Sequence, residues 1–248
     1  MQTRLYIVTL ISILFFADTD TFSQIIHRTG APTGIVKEYK SIDYYELFVL
    51  ESEKDSIRNR MYQKGTSLSF AVGRNVSLSP ANSGYIKQIS KSESIWYLSI
   101  KSKNAASLNI IFSSFELKKG ESVFIYDPEM QVVLGPLTDA NNKRSGILAV
   151  EPIAGSKLVI EYHFNPAERG DIEIGKISHD VLGIFGNYSA KDGYYSSSGL
   201  CNIDINCTEG AEWQKEKRSV VRILAGGTQL GTAVLLNNSN QENIAYTL

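Results

Sequence analysis

The stretch Ile95-Trp96-Tyr97-Leu98-Ser99-Ile100, followed after Lys103-Asn104 by Leu108-Asn109-Ile110-Ile111-Phe112, decides the fold class. Trp96, Leu98 and Ile100 alternate with their neighbours, and Leu108, Ile110 and Phe112 keep the same beat. A period of two places one face of a strand on a core and the other toward water. The beat recurs at Leu68-Phe70-Val72, Val123-Ile125, Leu158-Ile160-Tyr162 and Ile172-Ile174. Between these runs stand turn-forming words: Lys103-Asn104, Lys119-Gly120, Asp127-Pro128, Asn141-Asn142, Ala154-Gly155 and Arg169-Gly170. Short strands separated by turns, with no helical period between them, predict an all-β domain over 66–184, an antiparallel β-sandwich of jelly-roll-like type. Trp96, in phase with Leu98 and Ile100, is expected in its core.

Outward from this domain the rules change. Residues 24–65 show no strong period: Tyr44 to Glu51 is apolar enough to pack and Glu51 to Arg60 is helix-permissive, so this segment reads as leader and linker. Residues 185–198 contain Phe185-Gly186-Asn187 and Gly193-Tyr194-Tyr195-Ser196-Ser197-Ser198, rich in Gly and Ser and poor in aliphatic residues. This is a processing linker with Lys191 and Asp192 inside it, the kind of segment at which precursors are cut. Strand patterns resume in 199–248: Ser219 to Leu224, the turn Gly226-Gly227, Thr232 to Leu236, a second turn at Asn237-Asn238-Ser239-Asn240, and a third strand beginning at Ile244. Such a hairpin cannot bury a core of its own, so this region is expected to be an incomplete domain.

Composition narrows the partners. With 25 basic and 26 acidic residues the formal net charge is -1, which provides neither the basic face that nucleic acid requires nor a polybasic membrane patch. The densest basic stretch, Lys215 to Arg218, is interrupted by Glu216 and reads as solvated surface. At the N-terminus Arg4 precedes the apolar run Tyr6 to Phe16, and Thr21 and Ser23 set small residues at the −3 and −1 positions before Gln24. This is a secretory signal over 1–23, cut between Ser23 and Gln24. The run has about half of the roughly 20 apolar residues that a spanning helix needs, so no stable membrane anchor is expected. The mature chain is thus expected outside the cell, where disulfides persist. Both cysteines, Cys201 and Cys207, lie near the C-terminus; they could bond to each other only if their Cα atoms approach within about 7 Å.

In two places the words of the sequence resemble the bacterial lysyl-endopeptidase-like branch of the trypsin-like, chymotrypsin-fold serine proteases. Over roughly residues 66–182 the similar words are Phe70-Ala71, Ser79-Pro80-Ala81-Asn82-Ser83-Gly84, Ile95 to Ile100, Ala106 to Phe112, Phe124-Ile125-Tyr126, Val159-Ile160-Glu161-Tyr162 and Ile177-Ser178-His179. They resemble the family's β-sandwich pro-domain. A more specific similarity runs from Ser198-Gly199-Leu200-Cys201-Asn202-Ile203-Asp204-Ile205-Asn206-Cys207 through Trp213 and Lys217 to Ile223, then Gly231 to Asn238. These words resemble the opening of the protease domain, the first strands of a trypsin-like double β-barrel. The resemblance implies a secreted zymogen that hydrolyses peptide bonds in protein or peptide substrates, with Lys or Arg as the residue cleaved after. It also implies a pro-domain that packs on the protease domain.

Family members continue from a segment like Tyr246-Thr247-Leu248 into the motif that holds the catalytic histidine. The chain is therefore expected to be an N-terminal precursor fragment that is inactive by itself. The resemblance implies that Cys201 and Cys207 pair with cysteines further along the family's sequence. Two departures stand out: Gly231 occupies a position where the family usually has Cys, and Ala233 replaces a usual Gly.

The residues carry no catalytic constellation of their own. There is no Gly-x-Ser-x-Gly or Gly-Asp-Ser-Gly word, so no serine stands out as a nucleophile. His27 sits in the leader, His163 ends a strand and is expected to be hydrogen-bonded or solvated, and His179 beside Asp180 is expected to pack rather than to catalyse. Neither cysteine has an adjacent histidine, and no His-Glu-x-x-His word occurs. No catalytic, cofactor or metal residue is expected; a calcium site at Asp127, Glu129 and Asp139 has little in its favour. Two rival functions remain: a secreted glycan- or cell-surface-binding module using Trp96, Tyr194 and Tyr195, and a pseudo-protease.

Overall fold

The computed structural model describes residues 44–60, 67–184 and 205–236, and the backbone alone at 246–247. In chain order the elements are β1 (Tyr44–Glu46), α1 (Glu51–Arg60), β2 (Leu68–Ser69), β3 (Ala71–Leu78), β4 (Tyr85–Gln88), β5 (Ser94–Lys101), β6 (Ser107–Glu116) and β7 (Ser122–Tyr126). There follow β8 (Val133–Leu137), β9 (Leu148–Ala149), β10 (Ile153–Ala154), β11 (Lys157–Phe164), β12 (Asp171–Asp180), α2 (Gln214–Lys217), β13 (Val220–Ala225), β14 (Gln229–Leu236) and β15 (Tyr246–Thr247).

Two sheets face each other. The first runs β1-β5-β11-β7-β8 with β4 also on β5, and the second runs β10-β6-β12-β3 with β9 also on β6. Trp96, Leu98 and Ile100 of β5 and Leu158, Ile160 and Tyr162 of β11 meet Leu108, Ile110 and Phe112 of β6 and Ile172, Ile174 and Ile177 of β12 in one continuous core. The alternation in the sequence is thus the inner face of an all-β sandwich. Trp96 is fully buried and donates its indole N–H to the carbonyl of Ser83 at 2.7 Å. Gly84 makes this possible: its φ is +70°, and a Cβ there would stand 2.5 Å from the Trp96 Nε1.

Three details differ from the simplest strand reading. Period two ends in β12 at Ile174, because Gly175 is an extra residue between the pairs Ile174↔Phe112 and Lys176↔Ile111. The bulge shifts the phase by one and returns Ile177 to the core. Second, Leu68, Phe70 and Val72 do not share one strand. The chain breaks at Phe70; β2 pairs with β14, while β3 joins the second sheet. Third, Tyr44–Glu46, in the stretch read as leader, pairs in parallel with Ser99–Lys101 of β5.

The helix-permissive stretch Glu51 to Arg60 is α1. Glu51 and Glu53 lie in its first turn and Arg58 and Arg60 in its last, matching the helix dipole, and the ion pairs Lys54–Glu51 and Arg58–Asp55 run along it. Its buried residues are Lys54 and Ile57. At the other end of the chain, Lys215 to Arg218 is exposed throughout, as a solvated basic stretch should be.

Candidate functional site

The β13–β14 hairpin meets the sandwich at its turn. Val220–Ala225 and Gln229–Leu236 pair antiparallel from Val220↔Val234 to Ala225↔Gln229. The turn is closed by the Thr228 N–H donating to the Ala225 carbonyl, with φ of +56° at Gly226 and +71° at Gly227. Most side chains with a Cβ enter that region only at a cost, so the glycine pair favours the reversal.

The tip of this turn lies on the outer face of the second sheet. A Cβ on Gly227 would come within 2.6 Å of Asn109 Oδ1 and 2.9 Å of Ser178 Oγ. Across from it, a Cβ on Gly73 would come within 2.9 Å of Thr228 Cγ2. The backbone N–H of Phe70 donates to the Thr228 carbonyl at 2.9 Å, and β2 pairs with β14 through Gln229↔Ser69 and Leu230↔Leu68. Beside these bonds Phe70, Ala71 and Ile184 form a small buried cluster, with Leu182, Leu224 and Leu230 packed against it. Main-chain pairing, an apolar cluster and a side-chain-free turn all converge on one contact.

A second arrangement has the residue types of a nucleophile and its base but not their chemistry. Ser102 Oγ and His179 Nδ1 are 2.7 Å apart, both residues buried. Ser102 also donates its hydroxyl hydrogen to the Leu47 carbonyl at 2.9 Å. A hydroxyl has a single hydrogen, so Nδ1 must carry the proton shared with Ser102, and His179 is the donor. The serine is therefore not activated by this imidazole. Asp180 is turned elsewhere, accepting from Ser107 Oγ and from the N–H groups of Leu182 and Gly183. The pair is a structural tie between β12 and the segment leading into α1.

His179 is held neutral. Burial pushes its pKa down, the nearby Lys54 adds to this, Glu51 opposes it and Arg58 adds a little more, leaving it at about 4. An unfolded histidine titrates near its ordinary value of about 6.5, so below that pH the unfolded chain binds the extra proton first. Stability contributed by neutral His179 is present above about pH 6.5 and is lost as pH falls toward about 4, amounting to about 3 kcal/mol at most. We expect urea unfolding at a series of pH values to show this slope in the wild type and a shallower one in His179→Gln. Parallel curves for the two proteins would contradict the assignment.

His163 behaves oppositely. Burial alone would lower its pKa, but the 2.6 Å bond from Nε2 to Glu161 and the approach of Glu93 to Nδ1 at 3.5 Å outweigh burial and raise it. It stabilises the fold at low pH, and that contribution fades as pH rises through its raised pKa. It is hydrogen-bonded, as expected, although it lies within β11 rather than past its end. Both ring nitrogens face carboxylates, so neither is free to take a proton from a serine.

Of the residues singled out in the sequence, Ser23, Gln24, His27, Lys191, Asp192, Tyr194, Tyr195 and Cys201 lie outside the described residues. Cys207 is exposed with a free thiol. Trp96 is core, which removes its ring from any binding surface. Among the described residues no group of three or more His, Cys, Asp and Glu side chains could hold a metal ion. No helix among them is long and apolar enough to cross a membrane. Gly231, the position of a usual Cys, has nothing within 4 Å of where a Cβ would stand, and Ala233 is buried.

The seat formed by Gly73, Asn109 and Ser178 was not singled out by sequence reasoning. Its signal is faint: small residues on the outward positions of strands whose other face is large and apolar. The hairpin itself was legible, and it falls inside the segment on which similarity to a known family rests. Residues 195–248 match the family model described as lysyl endopeptidase, C-terminal domain, and this gives the chain a lysyl-endopeptidase-like relationship carried by its C-terminal hairpin region.

Proposed function

We propose that the chain is part of a secreted, trypsin-like serine endopeptidase zymogen that cleaves after Lys or Arg, with residues 66–184 as its pro-domain and 199–248 as the opening of its protease domain. The observation that carries this reading is the hairpin Val220–Leu236 inside the matched segment. Its burial pattern fits: Val220, Val234 and Leu236 are exposed, apolar surface of the kind that a barrel sheet takes in. The all-β sandwich ahead of it is joined by residues 185–198, the proposed site of processing.

These 248 residues are not expected to hydrolyse peptide bonds by themselves. A serine protease needs a nucleophile, a histidine base, an orienting carboxylate and oxyanion donors in one accessible place. Among the described residues Ser102 and His179 are buried and wrongly protonated for that role, and His163 is held between two carboxylates.

Expression of the native gene in an export-competent host tests the reading, with mass spectrometry of the secreted product and a chromogenic lysyl-peptide assay. A precursor beginning at Gln24, a processed form cut within 185–198, and lysyl-peptidase activity confined to that processed form are expected. The 248-residue chain alone should give no turnover. Secreted protein retaining residues 1–23, or turnover by the uncut 248-residue chain, would overturn it.

A further inference from the structure

We propose that the sandwich and the hairpin form a non-covalent clamp that survives cutting of the linker, so that separating the two parts is a step distinct from cleavage. The clamp's occupant is the segment Leu224–Leu230 of this chain, and its seat is the outer face of β3, β6 and β12.

The contact has the features of a specific interface rather than of chance apposition. β14 has two edges. β13 covers one along its length; on the other, β15 pairs with Leu235–Leu236 and β2 with Gln229–Leu230. An unpaired strand edge is a template for association, and here the sandwich supplies the strand that occupies it. The Phe70 N–H to Thr228 carbonyl bond continues that pairing up to the turn. Next to it Leu224 and Leu230 place apolar surface on Phe70, Ala71 and Ile184, which are buried almost completely.

The turn itself fits only because side chains are missing. Gly227 lies against Asn109, Ser178 and Ile111, and Thr228 lies over Gly73. Ser178 Oγ is buried there without a hydrogen-bond partner, at the floor of the seat. A buried hydroxyl left unpaired is a cost that the main-chain pairing and the apolar cluster must offset. Meanwhile the far end of the hairpin, at Val220, Val234 and Leu236, is exposed. The hairpin is therefore held by its tip and not absorbed into the sandwich core, the geometry of a part that can be released.

The docking stands on these contacts alone; only its consequence for activation rests on the zymogen reading. The test uses the full chain carrying a site-specific protease recognition sequence within residues 187–197, cut after purification and run on size exclusion at micromolar concentration. The two pieces should co-elute. In Gly227→Val, whose branched side chain would strike Asn109 and Ser178, they should separate, while the sandwich keeps its wild-type melting transition. Leu230→Asp, which charges the apolar cluster, should do the same and decides the matter if the first variant misfolds. Separation of the cut wild-type pieces would overturn the proposal, as would co-elution of both variants. Loss of the sandwich transition in both variants would overturn it too, since the hairpin would then be an integral part of one core. None of these readouts involves peptidase activity, so failure of the clamp and failure of the zymogen reading are separately visible.

Discussion

Trp96→Ala should lower the unfolding free energy by about 3–5 kcal/mol, among the largest effects available from a single side chain in this protein. The indole is fully buried between the sheets, so truncation leaves a void that close-packed neighbours such as Leu98 and Tyr162 cannot fill without moving. The loss has a polar part as well. The Ser83 carbonyl accepts the indole N–H at 2.7 Å and would be left without it. Trp96→Phe separates the two contributions, because it retains much of the apolar volume and removes the donor. A shift of this size corresponds to a fall of roughly 10 °C in melting temperature. Only one other tryptophan exists, Trp213, and it is exposed, so in a Trp213→Phe background the blue-shifted emission of Trp96 reports core integrity directly. Emission at the wavelength of a solvated indole would show that Trp96 is not in the core.

Glu121→Ala should cost about 3–6 kcal/mol, from three donors that lose one acceptor group at about 1–2 kcal/mol each. Glu121 is buried in the turn just before β7. Its Oε2 accepts from the Lys118 N–H at 2.7 Å and from the Tyr162 hydroxyl at 2.9 Å, and its Oε1 accepts from the Gly170 N–H at 2.9 Å. One carboxylate thus ties the β6–β7 turn, the middle of the first sheet and the entry to β12. The Tyr162 hydroxyl is kept protonated: burial pushes its pKa up and the bond to Glu121 pushes it further. Glu121→Gln retains one oxygen for two of the donors and turns an amide N–H toward the third, so it should fall between alanine and wild type. The order wild type, Gln, Ala in urea midpoints is the expected result. Equal stability of all three would mean that water serves these donors equally well.

These two residues show how differently information is spread along the chain. Trp96 announced itself, because alternation over Trp96, Leu98 and Ile100 is a local pattern with one physical cause, a strand with one face in a core. Glu121 did not. Its surroundings read as a turn with Lys119-Gly120, and nothing nearby says that Tyr162 and Gly170, some forty and fifty positions on, will bring it their donors. The same holds for Ser102 and His179. Two polar residues far apart in sequence became a buried pair because β5 and β12 stand in facing sheets beneath the segment that leads into α1.

What the sequence determined alone was the periodic part. It set the all-β class, the core face of β5, β6, β7 and β11, the turn at Gly226-Gly227 and the hairpin around it, since period, turn chemistry and apolar spacing act within a few residues. Tertiary structure decided the rest. It split Leu68 from Val72 between two sheets, used a bulge at Gly175 to restore Ile177 to the core, and placed the tip of the C-terminal hairpin against Asn109 and Ser178. Those outcomes depend on which surfaces meet after the chain has collapsed, and a one-dimensional pattern of polar and apolar residues does not encode that choice locally.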